Sequence, residues 1–171
     1  MKVGDLLQKH SVVISLDHDR KRRNRLAKSF SRHSLPLPKR VPACNAADPK
    51  HAKSLASILK KGHSFFSSAT ELACAVSHIS CIQHAFNHEW EYIVIFEDDV
   101  VAGPFATAVL ERPIPDEWDI LYLAHTPNHP KRNTATVVPS YTSRKPSASA
   151  CRLTKPDPGT TQASTPAATC P

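Results

Sequence analysis

Three consecutive carboxylates, Glu97, Asp98 and Asp99, follow directly on the apolar run from Tyr92 to Phe96. Valine, isoleucine and aromatic side chains suit a buried strand. Carboxylates do not enter a core unpaired, so the triplet marks where that strand leaves the sheet at a surface or cleft. In open α/β sheets, ligands gather at such carboxyl ends. Hard carboxylate oxygens suit Mg²⁺ or Mn²⁺, and an ion held there can hold phosphate oxygens in turn. With a sugar-bearing nucleoside diphosphate as substrate, it would neutralise charge developing on the departing diphosphate. The competing reading of the triplet is an acidic turn in solvent.

A second group lies near the amino terminus. Asp17 follows the run SVVISL (residues 11–16), with Ser15 just before it and Arg22 and Arg23 just after. If this strand neighbours the one ending at Phe96, the two carboxyl ends form one cleft. Asp17 would then accept from a sugar or nucleoside hydroxyl, and the arginines would pair with phosphate oxygens. Equally, Asp17 could cap the following helix.

Ser77 and His78 are adjacent within a helical pattern. Helical neighbours point about 100° apart, so the pair is no catalytic dyad, and no third residue orients it. Its roles are packing or substrate positioning. Asp119, before the run Ile120 to Ala124, is a candidate base or a loop-bridging acceptor. Cys74 and Cys81, seven apart, would share a helix face near His78 and His84. Without a CxxC pair these are read as buried thiols and hydrogen-bonded imidazoles rather than a zinc site.

These side chains need a scaffold of alternating strands and helices. The expected elements are a strand at 11–16, a helix from Arg20 to Ser31, and an irregular or short extended segment from Leu35 to Ala43. A helix follows from His51 to Lys61, stopped by Gly62. Another begins at Ser67, Ser68 or Thr70, where Glu71 three residues after Ser68 signals a capping box. It carries Leu72, Val76, Ile79 and Phe86. The strand Tyr92–Phe96, a short helix from Phe105 to Leu110 and a strand from Ile120 to Ala124 complete the pattern. The order is typical of an α/β fold with a parallel or mixed sheet flanked by helices.

Composition sets the remaining bounds. The chain has 171 residues, which predicts one domain, and 15 of them are prolines. Apolar residues concentrate before about residue 125. Residues 1–138 are read as the domain. Residues 139–171, rich in Ser, Thr, Pro and Ala, are read as a disordered tail. The net charge of +7 favours anionic partners: nucleic acid, an anionic membrane surface or a phosphorylated substrate. The run RKRRNR (residues 20–25) lacks interleaved aromatics, so it reads as a solvated helix face, and nucleic acid is not an expected partner. Five cysteines with no leader pattern do not suggest a disulfide scaffold. No apolar stretch is long enough to span a membrane.

Taken in order, these segments resemble glycosyltransferase family 25, the lipooligosaccharide and lipopolysaccharide biosynthesis enzymes. VVISLDHDRKRRNRL (residues 12–26) is similar to the family's opening strand and helix, with Ser15 in place of the usual Asn. VPACNA (residues 41–46) is similar to the stretch that follows. ELACAVSHISCIQHAF (residues 71–86) matches the family's helix at Glu71, Cys74, Ser77 and His78, with Thr70 and Ala73 replacing two glycines. YIVIFEDDV (residues 92–100) and WDILYL (residues 118–123) complete the set.

The resemblance implies a GT-A-like nucleotide-sugar-binding fold and an inverting, metal-assisted transfer of a sugar, often galactose. The donor would be a nucleotide sugar such as a UDP-sugar, and the acceptor an oligosaccharide or glycolipid. It assigns Asp98 and Asp99 to the metal and diphosphate, with Glu97 supporting them. Asp17 would lie in the nucleotide-sugar pocket, with Ser77 and His78 shaping the donor or acceptor site. Cytoplasmic residence follows, with peripheral contact at the inner membrane face. Beyond about residue 125 the resemblance blurs. Only Tyr141, Ser143, Arg144 and Lys145 echo the family's next motif, so a truncated or frame-shifted member with an incomplete sheet is expected.

Overall fold

A computed structural model describes residues 1–60, 66, 68–115, 118–125 and 146–152. Five strands form one mixed sheet in the order β2-β1-β3-β5-β4. They are β1 (Ser11–Ser15), β2 (Lys39–Pro42), β3 (Tyr92–Glu97), β4 (Ile120–His125) and β5 (Pro146–Arg152). β1 pairs in parallel with both β2 and β3. β5 runs antiparallel to β3 and to β4. Helices α1 (Val3–Lys9), α2 (Arg20–Arg32), α3 (Pro49–Lys60), α4 (Ala69–Asn87) and α5 (Ala106–Leu110) connect them. The expected mixed α/β sheet with flanking helices is what forms.

Alternation along β1 and β3 sorts their side chains to two faces. Val13, Val94 and Phe96 pack with Val3, Leu6 and Leu7 of α1 and with Leu26 and Phe30 of α2. Val12, Ile14, Ile93 and Ile95 pack on the other side with Cys81 and Ala85 of α4. Both faces are covered, which explains why the two strands read as unbroken apolar runs. Each such side chain contributes about 1.5–3 kcal/mol when fully buried. A third cluster joins α3 to α4 through Leu55, Leu72, Ala73 and Val76, with Cys44 from the loop after β2.

Local signals account for several element ends. Ser68 caps α4, its hydroxyl accepting from the Glu71 N–H at 3.2 Å. The basic run 20–25 lies in α2, where Leu26, Ser29 and Phe30 form the buried stripe. Asp17 does not cap α2; Asp19 occupies the N-cap position, without a side-chain cap bond. The segment Leu35–Ala43 contributes β2, an edge strand ending at Pro42, the one sheet position where proline costs no ladder bond.

Two regions depart from the sequence reading. Val3–Lys9 forms a helix whose Val3, Leu6 and Leu7 are buried. Pro146–Arg152, read as part of a disordered tail, is a strand lying between β3 and β4. Its small residues carry little strand signal of their own, and the backbone ladders on both sides supply the ordering. The remainder of 139–171, including Tyr141, Ser143, Arg144 and Lys145, lies outside the described residues. So do the Gly62 helix stop and Ser67.

Candidate functional site

In a sheet ordered β2-β1-β3, the chain leaves β1 for one side and returns to the other. The carboxyl ends of β1 and β3 therefore part at a switch point, where α/β proteins bind ligands. Ser15, the last residue of β1, and Asp98, just past β3, meet there. The Ser15 hydroxyl donates to Asp98 Oδ2 at 2.6 Å, the short length of a charge-assisted bond. Both residues are buried, at 2% and 7% exposure.

Cations surround this pair. Arg22 Nη1 reaches Asp98 Oδ1 at 3.3 Å, and the guanidinium pair holds the Arg22 pKa above its usual range. Arg22 remains more than half exposed. Arg23 is more committed. It donates to the Ser15 hydroxyl at 3.1 Å, to the Leu16 carbonyl at 2.5 Å and to the Asp17 carbonyl at 3.1 Å. Arg23 therefore holds the exit of β1 in place. Asp17 is exposed and pairs with Arg40 of β2. Arg40's hydrogen bond and charge draw the Asp17 pKa down. Arg40 also donates to the Ser15 carbonyl at 3.2 Å. Sequence reasoning missed Arg40, because its place beside Asp17 depends on the parallel pairing of β2 with β1.

The acidic triplet splits. The two-residue period of β3 sends Glu97 to the α4 side and Asp98 to the α2 side, while Asp99 is exposed. Glu97 Oε1 lies 3.4 Å from His78 Nε2 and 4.0 Å from Cys74 Sγ. Cys74 and His78, four apart, share one face of α4. Their donor atoms and that of Glu97 all lie within 4.8 Å of one another. Among the described residues no other group of three or more such side chains is so close, so Glu97, Asp98 and Asp99 do not form one ligand cluster. Cys74 and Glu97 together raise the His78 pKa to about 9, against partial burial. Cys81 does not join Cys74; it packs in the core, and burial raises its thiol pKa to about 11.

Ser77 has a different task. Its buried hydroxyl accepts from the Cys44 N–H and donates to the Ala73 carbonyl, both at 2.8 Å. It clamps the loop after β2 onto α4. Asp119 is not at this site. Ile120 and Ile93 both pair with Cys151 of β5, so Asp119 lies level with the start of β3 and two strands away. The carboxyl end of β3 is four residues beyond Ile93, roughly 13 Å at strand spacing. Asp119 is thus corrected as a candidate base for chemistry at Asp98.

Comparison with known proteins bears on this geometry. The sequence model of glycosyltransferase family 25 (LPS biosynthesis protein) matches residues 8–157. The chain belongs to glycosyltransferase family 25. The match contains β1 through β5, and both the Ser15–Asp98 and the Cys74–His78–Glu97 groups. Two similar proteins come from Haemophilus influenzae. A protein of strain Rd named "Putative glycosyltransferase" is 31% identical over 102 residues, covering 60% of this chain and 36% of its own length. "Lipooligosaccharide biosynthesis protein lic2B" is 34% identical over 111 residues, covering 62% of this chain and 38% of its own. The chain thus spans little more than a third of the length of these two relatives.

Proposed function

We propose that this family 25 chain carries the nucleotide-sugar donor site of a glycosyltransferase acting in lipooligosaccharide or lipopolysaccharide assembly. The observation that carries the reading is the Ser15–Asp98 hydrogen bond at the β1/β3 switch point. It brings two family-matching segments, 83 residues apart, to one ligand-binding position. The donor is a nucleoside diphosphate sugar, with UDP-galactose the first choice, and the acceptor is a sugar of the glycolipid. The transfer is an inverting single displacement. The acceptor oxygen bonds to the anomeric carbon as the bond to the diphosphate breaks, and the diphosphate leaves with the electron pair.

The residues fit a hard divalent ion of the Mg²⁺ or Mn²⁺ class, because Asp98 and Asp99 offer adjacent carboxylate oxygens. Asp98 is already paired with Arg22, yet that contact is long and Arg22 is largely exposed, so its guanidinium can swing onto phosphate. When bound, the ion would neutralise charge on the leaving diphosphate. Arg22 supplies a bidentate phosphate donor. Arg23 and Arg40 keep the β1 exit and Asp17 in register for the nucleoside or sugar hydroxyls. Glu97 and His78 stand on the other side of the strand end. No described helix is long and apolar enough to cross a membrane. The basic face of α2 and the net charge of +7 favour peripheral contact with anionic lipid on the cytoplasmic side, where nucleotide sugars are held.

Calorimetric titration with UDP-galactose and with UDP, with and without Mn²⁺, tests the reading. Binding that requires the ion and disappears in Asp98→Ala/Asp99→Ala supports it. Folded protein that binds none of a panel of nucleotide sugars overturns it.

A further inference from the structure

Cys74, His78 and Glu97 are not needed for the donor site just described, yet they converge. Two come from one face of α4 and the third from the end of β3. Sulfur, imidazole nitrogen and carboxylate oxygen are the donor types that zinc-class ions take, and Mg²⁺ does not favour thiolate. In a tetrahedral zinc site with bonds of about 2.0–2.3 Å, neighbouring ligand atoms stand roughly 3.3–3.5 Å apart. His78 Nε2 and Glu97 Oε1 are already 3.4 Å apart, and Cys74 Sγ is 4.0 Å from the same oxygen. A small side-chain rotation closes the remaining gap. His78 and Glu97 retain about a quarter to a third of their exposure, so a solvent molecule can reach the centre.

We propose that Cys74, His78 and Glu97 form a three-ligand site for a zinc-class divalent ion, leaving the fourth position exchangeable. Three protein ligands with an open position is the arrangement of zinc sites that bind further ligands, as opposed to closed four-ligand structural sites. The ion ties α4 to the carboxyl end of β3, and its neighbour on the chain is Asp98. The site is separate from the Asp98–Asp99 pair in donor chemistry and lies on the opposite side of the strand. It stands whether or not those aspartates bind Mn²⁺. The Ser77 clamp on Cys44 fixes the turn of α4 that carries Cys74 and His78.

The test uses the full reduced chain titrated with Co²⁺, whose spectrum reports its ligands. Wild type is expected to show tetrahedral visible bands and a sulfur-to-metal charge-transfer band, saturating at one equivalent and displaced by Zn²⁺. Cys74→Ser should remove the charge-transfer band. His78→Gln and Glu97→Gln should each weaken Co²⁺ binding at least about tenfold. Asp119→Asn, an exposed carboxylate away from both sites, should leave the spectrum unchanged. Circular dichroism confirms that each variant is folded. The proposal is overturned by folded wild type that shows no charge-transfer band. It is equally overturned by a band that persists in Cys74→Ser, which places the ion on another cysteine. A band insensitive to both His78→Gln and Glu97→Gln reduces the site to a lone thiolate and also overturns it. Loss of Mn²⁺-dependent UDP binding with the Co²⁺ spectrum intact would count against the donor site alone.

Discussion

Glu97 and Asp98 are neighbours in the chain and share a charge, yet their surroundings differ in kind. Asp98 faces α2 and is held by Ser15 and Arg22, a hydroxyl and a permanent cation. Glu97 faces α4 and meets Cys74 and His78, a thiol and an imidazole. The first setting meets its carboxylate with a hydroxyl donor and a guanidinium. The second couples its charge to protons or to a metal. A strand end in a doubly covered sheet thus presents two chemistries from consecutive residues, one on each face.

The comparison breaks most readily at Asp98. Asp98→Ala leaves a buried serine hydroxyl and a guanidinium without their carboxylate, and is expected to cost about 2–4 kcal/mol in urea unfolding. Asp99→Ala, one residue on and exposed, should stay within about 0.5 kcal/mol. Equal losses for the two would deny Asp98 its structural role. On the α4 side, Ser77→Ala removes the hydroxyl that bonds both the Cys44 N–H and the Ala73 carbonyl and should cost about 1–3 kcal/mol, read from the same unfolding curves.

Smaller effects sharpen the contrast. The folded His78 pKa of about 9 lies above the ordinary 6.5. That contact adds stability in full below the unfolded value, and the gain disappears as pH rises through about 9. With a chelator present, stability should fall by no more than about 3 kcal/mol between pH 6 and pH 10 through this residue. His78→Gln should flatten that part of the profile, and an unchanged slope would place the pH dependence elsewhere. Least affected is Arg40→Gln, which removes an exposed ion pair with Asp17. It is expected to change stability least of these variants, with a midpoint shift that shrinks in high salt.

The same two neighbours show what a sequence discloses. The strand Tyr92–Phe96, the α2 stripe and the Ser68 cap follow from local residue types, and they form where expected. The alternation of strands and helices was likewise legible in the order of elements, but the antiparallel pairings were not, because both run through β5. Which side of the strand each carboxylate faces was also available from the two-residue period. What it faces was not, because Cys74, Ser15 and Arg22 reach it only through the packing of α4, β1 and α2. Arg40 beside Asp17 has the same origin. Asp119 was legible as preceding its strand, but its distance from Asp98 was not, because that follows from the register of β4 and β3 on β5. β5 lacks large apolar residues, so nothing in Pro146–Arg152 announces a strand between two others.

That insertion has a consequence in time. Among the described residues β4 bonds to the sheet only through β5, and β5 is the last described element of the chain. Until Pro146–Arg152 arrives, the outer edge of β3 has no partner and β4 has nowhere to dock. During synthesis the half of the sheet holding β1, β2 and β3 therefore forms first, with one bare hydrogen-bonding edge open to other chains. Pulse-labelled amide exchange should find the β1–β3 ladder protected before the β3–β5 ladder.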